Sequence, residues 1–498
     1  MDRFRKPQLF KFVDKTLHLS NCSKVKKLAF DIEYKRCFAS KVDLWTQFAA
    51  FKATEELHLE FHTGWYPYRR YELPQHLFTN SIFRELRFFN CRVKPKGIID
   101  WISLKKLSIG EVKLSNELLQ KILSSSPALE MLELYWCGGF SRLDLNNPNL
   151  KKLILRNYEE DKVDREEDNE ETDDDGNEET DDDSDHDSDE DNEEADDDEH
   201  DNEEEADGAQ GAEEDEADGD NGFEEDLADG ENAVEEDEAD GGHGFEEDEA
   251  DGELDPEGLV IAAPHLQSLE ISGWSARNWQ LINVSSLVEA KLACNFKSRL
   301  QFVEEEDEED EHFTTIQNAI QNALRGLLLS FVDVKILTVG TKAMKLLSSM
   351  EAKGLSSPLL NCTSLTLEAC LEDEVNPWIA TMLGLSPNLE TLVMTKSSDS
   401  HKALQDYNLK HYWTSQKRNF ECLSLHLKKV VFADLSWFHY QSNFFSFVQF
   451  LLKNAKVLQK VVVKKSMQED TFPNEFFVAA NKLLAFPRSS PDAVVMFC

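Results

Sequence analysis

Along much of this chain apolar residues recur in one short phrase: two positions separate the first from the second, and one separates the second from the third. Leu129, Leu132 and Leu134 show it, as do Leu150, Leu153 and Leu155. The other copies are Val25, Leu28 and Phe30; Phe83, Leu86 and Phe88; Leu104, Leu107 and Ile109; Leu266, Leu269 and Ile271; and Leu287, Ala290 and Leu292. Val334, Leu337 and Val339, then Cys362, Leu365 and Leu367, then Leu389, Leu392 and Met394 complete the set, with Glu55-Glu56-Leu57-His58-Leu59 as a partial copy. The final alternation is a short strand that puts its apolar positions on one face and the residues between them on the other. Where Cys or Asn follows, as at Cys91, Cys137, Asn295 and Cys370, a small side chain suits the turn back beneath the sheet. Between strands the period lengthens. Leu118, Leu119, Ile122 and Leu123 fall on one side of a helix over Ser115 to Ser124.

A single unit of this kind cannot bury its own apolar face, so units stack and share one core. Ten copies in one register favour that array over an ordinary α/β domain with leucine-rich strands. The expected fold is α/β: a leucine-rich-repeat solenoid with a parallel sheet on the concave face and helices and loops outside. Pro-x-Leu precedes several strands, at Pro127, Pro148, Pro264 and Pro387. Proline there ends the preceding helical turn and removes no ladder hydrogen bond.

The proline spacing also locates a break in the array. Pro127 and Pro148 are 21 residues apart, one repeat, whereas Pro148 and Pro264 are 116 apart. The excess of 95 nearly equals the 99 residues from Glu159 to Glu257. Of the 98 Asp and Glu in the chain, 57 lie in that stretch against two basic residues, Lys162 and Arg165. It therefore carries −55 of a total of −46, and the remainder of the chain is +9. So little apolar surface cannot offset an ordering cost of about 1–2 kcal/mol per residue. The stretch is expected to be a disordered insertion in one inter-repeat loop, where closure cost grows slowly with length. The organisation expected is N-terminal repeats over 1–158, the acidic insertion over 159–257, repeats again over 258–400 and a separate C-terminal module over 401–498.

No catalytic constellation is present: there is no G-x-G-x-x-G, G-x-x-x-x-G-K-[ST], H-E-x-x-H or G-x-S-x-G. A non-enzyme without cofactor or metal is expected. Nine scattered cysteines without a C-x-x-C pair suit buried free thiols in a reducing compartment. The start lacks a secretion signal, and no apolar run reaches the roughly 18 residues that span a bilayer. A cytoplasmic or nuclear protein that touches neither membrane nor nucleic acid follows.

Within the acidic stretch, Ala-Asp-Gly recurs every 11 residues from Ala206 to Ala250, most simply by tandem duplication. The stretch could bind basic proteins by screened attraction. Thr172, Thr180, Ser184 and Ser188 each have an acid three residues on, which acidophilic kinases accept. A second acidic run, Glu304 to Glu311, reads as an exposed loop. On the repeats, Trp101, Tyr135, Trp136, Tyr158 and Trp274 fall at or after strand positions and are candidate partner anchors, with core packing as the alternative.

The C-terminal region narrows the lineage. Asn419 to Phe432 reads as a strand following a turn, and Phe447 to Val463, worded FLLKNAKVLQKVVV in its second part, as helix then strand. That order resembles the FBD module of plant F-box/leucine-rich-repeat proteins. Phe12-Val13-Asp14-Lys15-Thr16-Leu17, with Cys22 and Val25-Lys26-Lys27-Leu28, resembles the segment that follows the F-box there. The run Asp434 to Tyr440 departs from the glycine-containing turn usual in that family. The resemblance implies the substrate receptor of a cullin-type ubiquitin ligase, with the repeats holding an unknown target. Only eleven residues precede Phe12, without a Leu-Pro start or Trp-Arg ending, so an absent F-box and failed docking on the ligase adaptor are expected unless an F-box is present upstream. The alternative is a resemblance to acidic leucine-rich nuclear proteins that bind histones, although their acidic tract is a C-terminal tail.

Overall fold

The computed structural model describes residues 6–20, 22–62, 70–157, 258–273, 279–294, 324–351, 359–369, 375–395, 412–433, 441–464 and 473–498. The acidic stretch 159–257 lies outside the described residues, and with it Thr172, Thr180, Ser184 and Ser188. So do Tyr158, Trp274, Asn295, Cys370, the run Glu304 to Glu311 and the segment Asp434 to Tyr440.

Most of the repeats from Trp101 to Leu389 open on a four-residue turn. The N–H of Leu129 donates to the Ser126 carbonyl at 3.1 Å, Leu150 to Asn147, Leu266 to Ala263 and Leu389 to Ser386. The proline of each Pro-x-Leu therefore sits second in the turn, where its fixed φ is already suited and its missing N–H is not needed. Turns without proline at Trp101–Leu104, Phe331–Val334 and Leu359–Cys362 close the same way.

From these turns the chain enters the strands β1 (Lys27–Glu33), β2 (Glu56–His62), β3 (Glu85–Phe89), β4 (Lys106–Gly110), β5 (Met131–Tyr135), β6 (Lys152–Asn157) and β7 (Ser268–Gly273). β8 (Glu289–Cys294), β9 (Ile336–Gly340), β10 (Ser364–Glu368), β11 (Thr391–Thr395), β12 (Lys429–Ala433), β13 (Lys460–Val463) and β14 (Val494–Phe497) follow. They form one 14-stranded sheet in sequence order, parallel at every junction. The inward row Leu57, Leu86, Leu107, Leu132, Leu153, Leu269, Leu337, Leu365 and Leu392 is fully buried. This is the shared core that the repeated phrase requires.

β6 and β7 are direct neighbours, with Lys152 opposite Ser268 and Leu155 opposite Ile271. A backbone device carries the array past the acidic stretch. The Glu130 carbonyl accepts from the N–H of both Lys151 and Lys152, and the Lys151 carbonyl from both Gln267 and Ser268. The same paired donation recurs from Lys335 through Thr363 and Glu390 to Lys428. The C-terminal strands thus continue the repeat geometry.

Behind the sheet, Asn116–Ser124 is a helix capped by the Ser115 hydroxyl, which accepts from the Leu118 N–H, and it buries Leu119, Ile122 and Leu123. At the N-terminal end, helices Lys6–Leu19 and Ala39–Phe51 meet through the Trp45 indole N–H, which donates to Asp14 Oδ1 at 2.6 Å. Phe10, Trp45 and Phe30 stack in a row and cover the first strand. Cys91 and Cys137 are buried free thiols beneath the sheet. Burial pushes the Cys137 thiol up to about 12.

Some elements differ from the expectation. Glu421–Leu425 is a short helix before β12 and not a strand. The alternation Leu423, Leu425, Leu427 suggested extension, but Leu425 is exposed while Phe420, Leu423 and Leu427 are buried. That is a helical spacing, and it wins because both ends of the segment reach the core. The phrase also gave no sign of a second parallel sheet of Arg142–Asp144, Leu259–Ala262 and Trp279–Ile282, or of β14. Among the described residues no helix is long and apolar enough to cross a membrane.

Candidate protein-interaction face

The residues between the inward leucines make up the outward face of the sheet, and in its first half charged and aromatic residues are frequent among them. In register across β3 to β7, the middle outward positions are Arg87, Ser108, Glu133, Ile154 and Glu270. The next outward positions are Phe89, Gly110, Tyr135, Arg156 and Ser272.

Strands one or two apart pair these groups. Arg87 meets Glu60 at 2.7 Å, Arg156 meets Glu270 at 3.0 Å and Lys291 meets Glu368 at 2.8 Å. His58 lies 3.0 Å from Glu85. Half-exposed pairs of this kind each contribute about 0–1 kcal/mol, so they fix the pattern of the face more than its stability.

Glu133 is the centre of the face. Its carboxylate accepts from the Ser108 hydroxyl at 2.6 Å and from the Tyr135 hydroxyl at 2.8 Å. Burial opposes its charge, but those two bonds and the Lys106 and Arg156 charges outweigh it and hold the carboxyl below its usual range. Burial and the bond to Glu133 push the Tyr135 phenol up to about 12. The Tyr135 ring lies between two guanidiniums, Arg87 at 5.8 Å and Arg156 at 5.5 Å from its centroid. Next to it the Phe89 ring occupies the space above Gly110, where an added Cβ would collide with Phe89 Cδ2.

Leaving these strands, the chain takes the left-handed conformation at the same register position in successive repeats. Asn90, Glu111 and Trp136 have φ of 55, 50 and 53°, and Gly273 has 86°. Each of the first three donates its N–H to the next strand, Asn90 to Gly110, Glu111 to Tyr135 and Trp136 to Arg156. Glycine and asparagine tolerate this conformation, whereas a tryptophan held there is a rarity. Trp136 is also 41% exposed.

Of the candidate anchors, Tyr135 stands on this face, and the exposed Trp136 directly follows it at the end of the strand. Trp101 is corrected: it is fully buried, stacked on Phe78, and donates its indole N–H to the Leu77 carbonyl at 2.8 Å. It is a core residue because it opens a repeat turn, where the chain faces inward. Sequence reading missed Arg87, Glu133 and Arg156. Aligning the phrase copies and reading across the outward columns would have placed Arg87, Glu133 and Glu270 in one row.

Comparison with known proteins adds the lineage. The sequence profile described as FBD-associated F-box protein At5g56370, LRR repeats, matches residues 42–169, and the FBD profile matches residues 417–463. The F-box/LRR-repeat protein At5g02910 of Arabidopsis thaliana is 25% identical over 467 residues, covering 91% of this chain and 76% of that protein. The F-box/LRR-repeat protein At3g03360 of the same plant is 21% identical over 516 residues, covering 100% of this chain and 78% of its own length. The putative F-box protein At1g49610, also from Arabidopsis thaliana, is 34% identical over 148 residues, 29% of this chain and 36% of its own. No solved structure matches the chain.

Proposed function

The chain belongs to the plant F-box/FBD/leucine-rich-repeat family, and from that premise we propose that it is the target-holding part of an F-box-type ubiquitin-ligase receptor. The outward face of β3 to β7 takes the target protein, with Trp136 and Tyr135 as its aromatic anchors and Arg87 and Arg156 beside them. One observation carries this reading: an exposed tryptophan held at φ 53° next to a tyrosine flanked by two arginines. A backbone outlier of this kind costs about 1–3 kcal/mol and persists where the surroundings over-determine it, often at ligand sites. Aromatic and arginine side chains are also the residues that dominate binding energy at protein interfaces.

The test uses the tagged full chain in plant cells. It should recover a defined set of proteins, and Trp136→Ala should recover that set about tenfold less, the effect of losing one hot-spot side chain. With an F-box fused ahead of Lys6, the same set should gain ubiquitin chains, and the fusion carrying Trp136→Ala should not produce them. Recovery indifferent to the substitution, or a recovered set that gains no ubiquitin from the fusion, overturns the reading.

A further inference from the structure

The outward face changes character along the sheet. Its middle positions include the charged Arg87, Glu133, Glu270 and Lys291 from β3 to β8, but on β11 to β14 they are Val393, Val431, Val462 and Met496, adjacent in register. The strands themselves read Lys-Val-Val-Phe-Ala, Lys-Val-Val-Val and Val-Val-Met-Phe. Val430 and Val461 point into the core, and Val431 and Val462 stand on the opposite side of the same strands. Parallel strands that are apolar on both faces are the kind found covered on both faces. Val431 is almost enclosed by its neighbours, yet Met496 and Val494 stay 38% and 53% exposed.

Charge borders this stripe on both sides. Lys429 and Lys460 are neighbours in register at the start of β12 and β13, and Lys464 follows the end of β13. All three are exposed, and none forms an ion pair among the described residues, whereas the adjacent Lys428 is paired with Glu390 at 2.9 Å. The charged half of the face satisfies its own ions, so a partner there must displace them. Among the described residues this half leaves both its cations and its apolar row unmatched.

We propose that this C-terminal face docks an acidic amphipathic helix of a partner protein. The apolar stripe of that helix lies on Val393, Val431, Val462 and Met496, and its flanking carboxylates meet Lys429, Lys460 and Lys464. The spacing fits. Adjacent strands lie about 4.8 Å apart, close to the roughly 5.4 Å rise of one helical turn. A helix laid across the strands therefore offers one apolar residue per strand, the helix-in-groove mode of recognition. The surface is separate from the Trp136 site, so either can fail without the other.

The test uses the full chain and two synthetic helical peptides with the same leucine stripe, one flanked by glutamates and the other by lysines. The glutamate peptide should bind about tenfold tighter or more at low salt and lose affinity as salt rises. Lys429→Glu with Lys460→Glu should reverse the preference. Met496→Glu, a change at an exposed side chain, should weaken the glutamate peptide about tenfold while leaving the melting temperature unchanged. Trp136→Gly should leave peptide binding untouched. Equal binding of the two peptides, or a preference that survives the lysine reversal, overturns the proposal. So does a dimer of this chain that Met496→Glu dissociates, since a second copy would then be the occupant.

Discussion

Trp101→Ala is expected to lower the unfolding free energy by about 3–5 kcal/mol, the range for truncating a large buried aromatic. Three separate losses converge at this side chain. Its volume lies wholly inside the core, its ring stacks on Phe78 with centroids 5.7 Å apart, and its N–H occupies the Leu77 carbonyl. The backbone around it is equally committed. The Trp101 N–H donates to Ser125 and its carbonyl accepts from Leu104, so the residue ties one inter-strand connection to the next. In a stacked array each repeat is stabilised by its neighbours, and damage here removes support from β3 and β4 together. Trp101→Phe should fall between, because it keeps most of the volume but leaves the Leu77 carbonyl unpaired, about 1–3 kcal/mol. Urea unfolding of the three proteins checks the order. Trp101→Ala within about 1 kcal/mol of the parent would mean that the residue is not in the core.

Trp136→Gly is expected to act in the opposite direction on stability and to weaken target capture. Glycine adopts φ near 53° without steric cost, so the folded state sheds strain. Its freer unfolded chain and the loss of ring contacts offset part of that gain, and a net change between zero and about +1 kcal/mol follows. Trp136→Asn should behave similarly, since asparagine also tolerates the left-handed region. Capture of the target should meanwhile fall about tenfold or more, as for removal of an interfacial anchor. A variant that is more stable and binds less identifies a residue kept for recognition at a cost to the fold. If Trp136→Gly is strongly destabilised, the tryptophan is structural and the anchor role is lost. Thermal melts and quantitative recovery on the same preparations separate the two outcomes.

Much of the fold was legible because its defining rule is one-dimensional. Each leucine of the phrase has the same environment in every repeat, so period alone predicts the inward rows at Leu132 and Leu134 and their partners on β3 to β11. The Pro-x-Leu spacing worked for the same reason, because Pro148 and Pro264 occupy the same turn in repeats that are adjacent in space. What period cannot convey is the column across strands. Glu133 acquires its meaning from Ser108 one strand away and from Tyr135 two residues on, and only the register shows the first of these. Trp101 and Trp136 look alike as tryptophans near strands, but one opens a turn facing inward and the other leaves the sheet with positive φ. The short strands Arg142–Asp144 and Leu259–Ala262 pair across a gap of more than a hundred residues, beyond the reach of any local pattern. At Glu421–Leu425 an alternating run of leucines suggested a strand, and burial of Phe420, Leu423 and Leu427 decided for a helix.

The central claim is that the outward face around Tyr135 and Trp136 is where a target protein sits. Photo-crosslinking tests it directly, with a photoreactive aromatic residue, which keeps a ring at the anchor, placed at position 136 and, separately, at Gln120 on the helix behind the sheet. In plant cells the probe at 136 should yield a discrete protein adduct that Tyr135→Ala or Arg156→Ala diminishes, and the probe at 120 should yield none. Adducts formed from position 120 with none from position 136 would contradict the account.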